Sequence, residues 1–288
     1  MEAPTTRNSV RAFLAARGIR PKKRLGQNFL INPGVMDKVV AAANLKPTDT
    51  VLEIGPGVGS LTLKLAEAAG KVVAVEVDGA LAESLRVLFS AYPKVCLVEG
   101  DALKIDPDFL ISSVGGILPY KVVANLPYYI TTPLLTRFLE GGFKIAMYVI
   151  MVQKEVALRL VAQPGTKAYG SLSVLVAYKT VPELIATVSR GNFFPTPEVD
   201  SAIVRLVVRS EPPVAVPNEQ LFFQVVRAAF GHRRKTLLNA LAGSGLGLDR
   251  DQWKSIFAKV GVDGGRRGET LTLEEFASLT CCLAQGAW

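Results

Sequence analysis

Two hydrophobic patterns alternate along the chain between residues 50 and 209. Short apolar runs rich in β-branched residues, at 50–54, 72–77, 95–98, 122–124 and 146–152, read as strands, and the segments 61–69, 81–90 and 134–139 between them read as helices. This alternation predicts an α/β domain with a mainly parallel sheet covered by helices on both faces. Ahead of it, Asn32-Pro33 supplies a helix N-cap and a first-turn proline for the apolar positions Val35, Val39 and Val40. A polar, proline-bearing stretch at 210–219 then breaks the pattern, and a domain boundary is expected there. Beyond it the spacing is helical: Phe222, Val225, Val226, Ala229 and Phe230 make one face, Trp253, Ile256, Phe257 and Val260 another, and Thr272 with Glu275 forms a capping box before Phe276 and Leu279. The expected division is a basic N-terminal arm over 1–30, an α/β domain over 31–209 and a helical domain over 210–288.

Composition changes this picture in two ways. The 288 residues are 49% hydrophobic, yet no apolar run approaches the roughly 20 residues of a spanning helix, and the longest, at 145–152, fits a buried strand. A membrane is therefore not expected as a partner. The formal charge of +8 favours an acidic partner, and seven Lys/Arg (Arg7, Arg11, Arg17, Arg20, Lys22, Lys23 and Arg24) stand in the first thirty residues against the single acid Glu2. That arm reads equally as a solvated tail or as a nucleic-acid contact. Cys96, Cys281 and Cys282 have neither C-x-x-C spacing nor a histidine cluster beside them, so no metal site is expected and the thiols are read as reduced, in a cytoplasmic protein. The arginine-rich, acid-poor stretch 5–24 leaves an organelle open as the alternative.

The first strand runs directly into Gly55-Pro56-Gly57-Val58-Gly59. Glycines there let the backbone turn sharply and approach a ligand closely, although the third comes one residue too early for the dinucleotide fingerprint. Glu76 closes the next strand, about twenty residues on, where a carboxylate can accept from both hydroxyls of a ribose. Asp101, after the following strand, is placed to accept from an adenine amine. A positively charged sulfonium cofactor would suit a loop flanked by Glu53, which otherwise simply braces the turn.

Asn125-Leu126-Pro127-Tyr128 follows the strand at 122–124 and carries the reaction assignment. The exocyclic amine of adenine is a poor nucleophile because its lone pair is delocalised into the ring. The Asn125 amide oxygen and the Leu126 carbonyl can each accept one of its N–H bonds, drawing the nitrogen toward tetrahedral geometry and aiming the lone pair at a methyl group. Pro127 favours an extended Leu126 and so restricts its carbonyl, and Tyr128 offers a face for an unstacked base.

These residues resemble the KsgA-type ribosomal RNA adenine dimethyltransferases. The resemblance is carried by Leu25-Gly26-Gln27-Asn28-Phe29-Leu30, the loop from Glu53 to Gly59, Glu76, Gly100-Asp101, Asn125 to Tyr128, Phe193-Phe194-Pro195-Thr196-Pro197-Glu198-Val199-Asp200-Ser201 and Arg233-Arg234-Lys235-Thr236-Leu237. It implies a Rossmann-like methyltransferase domain, with a mainly parallel seven-stranded sheet, and a small all-helical C-terminal domain. It implies dimethylation of two adjacent adenosines near the 3′ end of small-subunit rRNA, in a partly assembled ribosomal particle and by a monomer. It also implies an S-adenosylmethionine site lined by Asn28, Leu30, Gly55, Gly57, Glu76, Asp101 and Asn125. Phe193 would be either a second wall against the base or a core residue beside a rigid Pro-x-Pro. Arg233, Arg234 and Lys235, and in the arm Arg20, Lys22, Lys23 and Arg24, would meet RNA phosphates or form solvated charged faces. His232, the one histidine, is given no catalytic role. The competing expectations are an Erm-type methyltransferase of large-subunit rRNA and a mainly non-catalytic assembly or RNA-binding factor that kept the fold.

Overall fold

The computed structural model describes residues 3–232 and 234–286. Two compact units divide them: the residues up to Ala157 together with Val181–Val208, and Leu158–Thr180 together with the residues from Arg209 onward.

In chain order the first unit begins with α1 (Arg7–Ala15), β1 (Phe29–Leu30), α2 (Pro33–Ala43), β2 (Thr50–Ile54), α3 (Ser60–Ala68), β3 (Lys71–Glu76) and α4 (Gly79–Phe89). Next come β4 (Val95–Glu99), α5 (Pro107–Ser113), β5 (Tyr120–Asn125), α6 (Thr131–Glu140) and β6 (Ile145–Gln153). The chain then passes through α7 (Lys154–Leu160) and α8 (Ser171–Lys179) before returning with β7 (Thr180–Val188), β8 (Phe193–Phe194) and β9 (Ser201–Val208). Seven strands form one sheet in the order β4-β3-β2-β5-β6-β9-β7, and β1 pairs with β8 in a two-stranded ribbon. Strands β4, β3, β2, β5 and β6 are mutually parallel, and β9 runs antiparallel to β6 over seven residue pairs. Every residue of β2 is buried, as in a strand covered on both faces. Because β2 pairs with β3 on one side and with β5 on the other, the strand order reverses at its carboxyl end, where such sheets open a ligand crevice.

The stretch 1–30 is not simply an arm. Thr6 caps α1 through a reciprocal box with Ser9, and Val10, Phe13 and Leu14 of that helix pack with Ile19, Phe29, Val58 and Leu81. The guanidinium groups of Arg7 and Arg11 stand 5.7 and 5.8 Å from the centre of the Phe194 ring, which packs against the same cluster, and just past the helix that of Arg17 stands 3.8 Å from the centre of the Phe13 ring. Amphipathic spacing hidden under a high density of arginine thus makes a docked helix of a segment that reads as a charged tail.

The second unit adds α9 (Glu219–Phe230), α10 (Leu237–Ala242), α11 (Arg250–Val260) and α12 (Leu273–Ala284). The capping box of Thr272 with Glu275 opens α12. The stretch 158–180 belongs here rather than in the α/β domain expected over 31–209. The reason lies in α8, whose Leu172, Ser173, Val174, Leu175, Val176 and Tyr178 are all buried, so the helix is covered nearly all round. Tyr178 sits 4.9 Å from Phe222 and 5.4 Å from Phe223 between ring centres, and the Tyr169 hydroxyl donates to the Leu271 carbonyl at 3.1 Å. Among the described residues no helix is long and apolar enough to cross a membrane.

Candidate active site

Gly55, Gly57 and Gly59 all have positive φ (71°, 62° and 84°), so the loop after β2 turns through the left-handed region three times in five residues. Gly57 is the most constrained by its surroundings on the cavity side: a Cβ there would stand 2.9 Å from the Phe29 ring. The loop therefore lies tight beneath the segment that carries Asn28 and Leu30. A cavity opens here, and Asn28, Leu30, Gly55, Gly57, Glu76, Asp101 and Asn125 all line it.

Three carboxyl groups face that cavity. Glu53 is 1% exposed and its Oε2 has no hydrogen-bond partner; burial, with the charge of Glu76 adding to it, pushes its carboxyl up to about 8. Glu76 ends β3 and accepts the N–H of Asp78 on Oε1 at 2.9 Å. Its carboxyl is pushed up to about 7, chiefly by burial, while the N–H groups of Asp78 and Gly57 act in the other direction. Asp101 follows β4, and its Oδ1 accepts the N–H of Leu103 at 2.9 Å. Three carboxyl groups on one cavity offer acceptors to a ligand with hydroxyl, amine or cationic groups.

The Asn125 to Tyr128 turn shares the same cavity. It is held at one end by the sheet, where Asn125 pairs with Met151 and the Leu126 N–H donates to the Met151 carbonyl at 3.0 Å. At the other end the Pro127 carbonyl accepts from the Ile130 N–H and from the Thr131 hydroxyl, both at 3.2 Å, which closes the turn into α6. A Cβ on Gly55 would stand 3.5 Å from Pro127, so the tetrapeptide and the glycine loop are neighbours. The Asn125 side-chain Nδ2 donates to the Asn28 carbonyl at 3.1 Å. Tyr128 is half-buried, with its hydroxyl 2.6 Å from that of Ser201, and burial raises the phenol above its ordinary range.

Over residues 18–280 the chain matches the family described as ribosomal RNA adenine dimethylase. The chain belongs to that family. It is 52% identical over 276 residues to the ribosomal RNA small subunit methyltransferase A of Pelotomaculum thermopropionicum, covering 94% of each chain. Among solved structures it resembles a dimethyladenosine transferase from Plasmodium falciparum, with a TM-score of 0.73 and 28% identity over 87% of this chain and 95% of the other. It also resembles the 23S rRNA methyltransferase ErmE, with a TM-score of 0.68 and 30% identity over 90% of this chain and 100% of that one. The Rossmann-like methyltransferase fold and the rRNA-modifying class are thereby established for this family member.

Not every expected residue comes to the cavity. Phe193 is wholly buried, pairs with Leu30 in the β1–β8 ribbon, and packs in a core cluster with Leu30, Met36 and Val123. It packs as a core residue, because the ribbon turns it into the sheet's packing layer. Lys22 is committed elsewhere as well: its Nζ bonds the buried carboxylate of Asp78 at 2.7 Å. Arg20, Lys23 and Arg24 are exposed. In the second unit Arg234 and Lys235 are exposed on the turn between α9 and α10, and Arg233 lies outside the described residues. Two residues that line the cavity were given no individual role above, Tyr129, which is half exposed, and Gln27, and neither was Asp78, which lies outside the lining and caps α4. An aspartate two positions beyond a strand-end acid and directly before a helix is an N-cap signal that could have marked the last of these.

Proposed function

We propose that this protein transfers methyl groups from S-adenosylmethionine to the exocyclic amines of two adjacent adenosines near the 3′ end of small-subunit rRNA, giving N6,N6-dimethyladenosine during ribosome assembly. The observation that carries the reading is the placement of the Asn125 amide, anchored through its nitrogen, on the same cavity as the glycine loop, Glu76 and Asp101. The residues present fit the cofactor. Glu76 offers a carboxylate to a ribose diol, Asp101 an acceptor to an adenine amine, and the unpartnered Oε2 of Glu53 an oxygen lone pair toward a cationic centre. When bound, the sulfonium supplies an electrophilic methyl carbon.

The protein's part in the transfer is to grip the amine. With Nδ2 given to Asn28, Asn125 presents Oδ1 as an acceptor for one N–H of the substrate, and the Leu126 carbonyl serves the other. Both acceptors favour a nitrogen whose lone pair is withdrawn from the ring, and no charged base is required because the proton can leave after transfer. Tyr128 gives the unstacked base a ring face, positioned by Ser201. Exposed Arg20, Lys23 and Arg24 supply phosphate contacts, as do Arg234 and Lys235. The reading includes a monomer acting in the cytoplasm on a partly assembled particle.

Purified protein incubated with S-adenosylmethionine and immature small subunits should yield N6,N6-dimethyladenosine by nucleoside mass spectrometry. A monomethyl intermediate should be detectable, since the second transfer leaves one acceptor unused. Labelling of protein-free large-subunit rRNA alone would instead assign an Erm-type activity, and absence of any methylated adenosine would assign a binding factor.

A further inference from the structure

Asp78 lies two residues beyond Glu76 and outside every contact assigned above to cofactor or base. Its side chain is wholly buried, yet it is tied to the N-terminal segment of the chain. Oδ1 accepts from Lys22 Nζ at 2.7 Å and from the Ala80 N–H at 3.2 Å; Oδ2 accepts from Gln27 Nε2 at 2.8 Å. Gln27 turns its other end inward, where Oε1 accepts the Lys22 N–H at 2.7 Å. Leu25, Gly26, Gln27 and Asn28 form one wall of the cavity, and the Asn28 carbonyl at the end of this strap receives the Asn125 amide.

We propose that Asp78 is a positioning residue, a clasp that holds the 22–28 strap over the cavity and, through Asn28, sets the orientation of Asn125. The proposal rests on the reading of that cavity as the cofactor site. Its physical basis is that the donors and acceptors admit one arrangement. Lys22 Nζ, Gln27 Nε2 and the Ala80 N–H are all donors, so the residue at 78 must present acceptors on both sides. Gln27 cannot flip to compensate for a change at 78, because its amide nitrogen would then meet the Lys22 N–H. Burial works against the Asp78 carboxylate, but the bonds from Lys22 and Gln27 outweigh it and hold the group below its ordinary range.

The same geometry defines a reciprocal exchange. Asp78→Asn sets an amide nitrogen against Gln27 Nε2, and Gln27→Glu sets a carboxylate oxygen against Asp78 Oδ2; each single change leaves two like groups facing. The double variant Q27E/D78N reverses the donor and acceptor, keeps the summed charge, and leaves Oδ1 free for Lys22 and Ala80.

The test is calorimetric titration of S-adenosylmethionine into wild type, both single variants and the double, with hydrogen exchange followed over 22–28. Each single variant should weaken binding by about tenfold and speed exchange in the strap, and the double should recover most of both. Gln27, only half-buried, carries the test if Asp78→Asn does not fold. The sign also discriminates. The Asp78 charge is one of the influences that raise the Glu76 carboxyl, so its removal alone would favour ionised Glu76 and tighten binding, opposite to the loss expected here. Single variants that bind as wild type does, or a double no better than the product of the singles, overturn the clasp. A wild type that binds no S-adenosylmethionine overturns the cofactor reading itself.

Discussion

The side-chain Nδ2 of Asn125 is bonded to the backbone carbonyl of Asn28, 97 residues earlier in the chain, at 3.1 Å. Because an amide has one donor end and one acceptor end, committing the nitrogen determines that the oxygen is what the substrate meets. Asn125→Ala should therefore lower the rate of methyl transfer by at least about a hundredfold, while reducing cofactor affinity only moderately. Asn125→Asp should be as inactive despite its oxygen, since a carboxylate cannot donate to Asn28 and would repel it. Single-turnover rates with saturating cofactor would show this; an Asp variant close to wild type would mean that the bond does not orient the group.

Glu76 gives the cofactor step a pH dependence whose direction follows from its environment. An ordinary glutamate is ionised above about 4.5, whereas burial keeps this one protonated up to about 7 in the ligand-free protein. A protonated carboxyl has lost acceptor capacity toward a ribose diol. Affinity for S-adenosylmethionine should accordingly rise from pH 6 to pH 8 and then level off. Glu76→Gln should bind more weakly and remove that rise, and a wild-type dissociation constant that is flat across this range would contradict the assignment.

Glu53 predicts the opposite trend for stability. Its folded-state value of about 8 lies above the unfolded 4.5, so the folded protein holds this proton more tightly. The contribution is fully present below pH 4.5 and is lost as pH rises through 8. Glu53→Gln, which keeps the shape without an ionisable group, should raise the urea midpoint of the ligand-free protein at pH 9 and change it little at pH 5. Equal shifts at both pH values would show that the buried oxygen is not titrating.

What the sequence disclosed and what it hid follow one rule. Periodicity made the parallel strands and the helices between them legible, because strands buried on both faces read as short, largely apolar runs, as β2 does around its buried Thr50 and Glu53. The glycine loop, Glu76, Asp101 and Asn125 were legible because each stands at a strand's carboxyl end, and all four line one cavity. The partners of these groups were not legible. That Lys22 bonds Asp78, and that α8 packs with Phe222 and Phe223, depends on contacts between segments more than forty residues apart, about which local pattern is silent.

Tyr128 has a separable ring and hydroxyl. Tyr128→Phe loses the bond to Ser201, at 2.6 Å, and should cost about 1 kcal/mol of stability with a several-fold lower rate. Tyr128→Ala loses the stacking face and should weaken productive base binding by about 1–3 kcal/mol. Fluorescence of 2-aminopurine placed at the target adenosine would report the difference: quenching retained in the Phe variant and lost in the Ala variant.

Phe193 is the sharper case, because its family motif and its burial point in different directions. The ring is completely covered, in a cluster that includes Leu30, Met36, Val39, Val123 and Ile203, so it has no face to offer a base. Phe193→Ala should then behave as a core deletion, destabilising by about 3–5 kcal/mol through lost burial and the cavity left behind. Phe193→Leu, which keeps much of the volume, should cost less and retain near-normal affinity for RNA once assayed well below its melting temperature. A stacking wall predicts the reverse: both variants would fold with wild-type stability, and both would lose base binding. Melting curves paired with RNA titrations of the two variants separate these outcomes, and a Leu variant that is stable yet fails to bind the target adenosine would return Phe193 to the site.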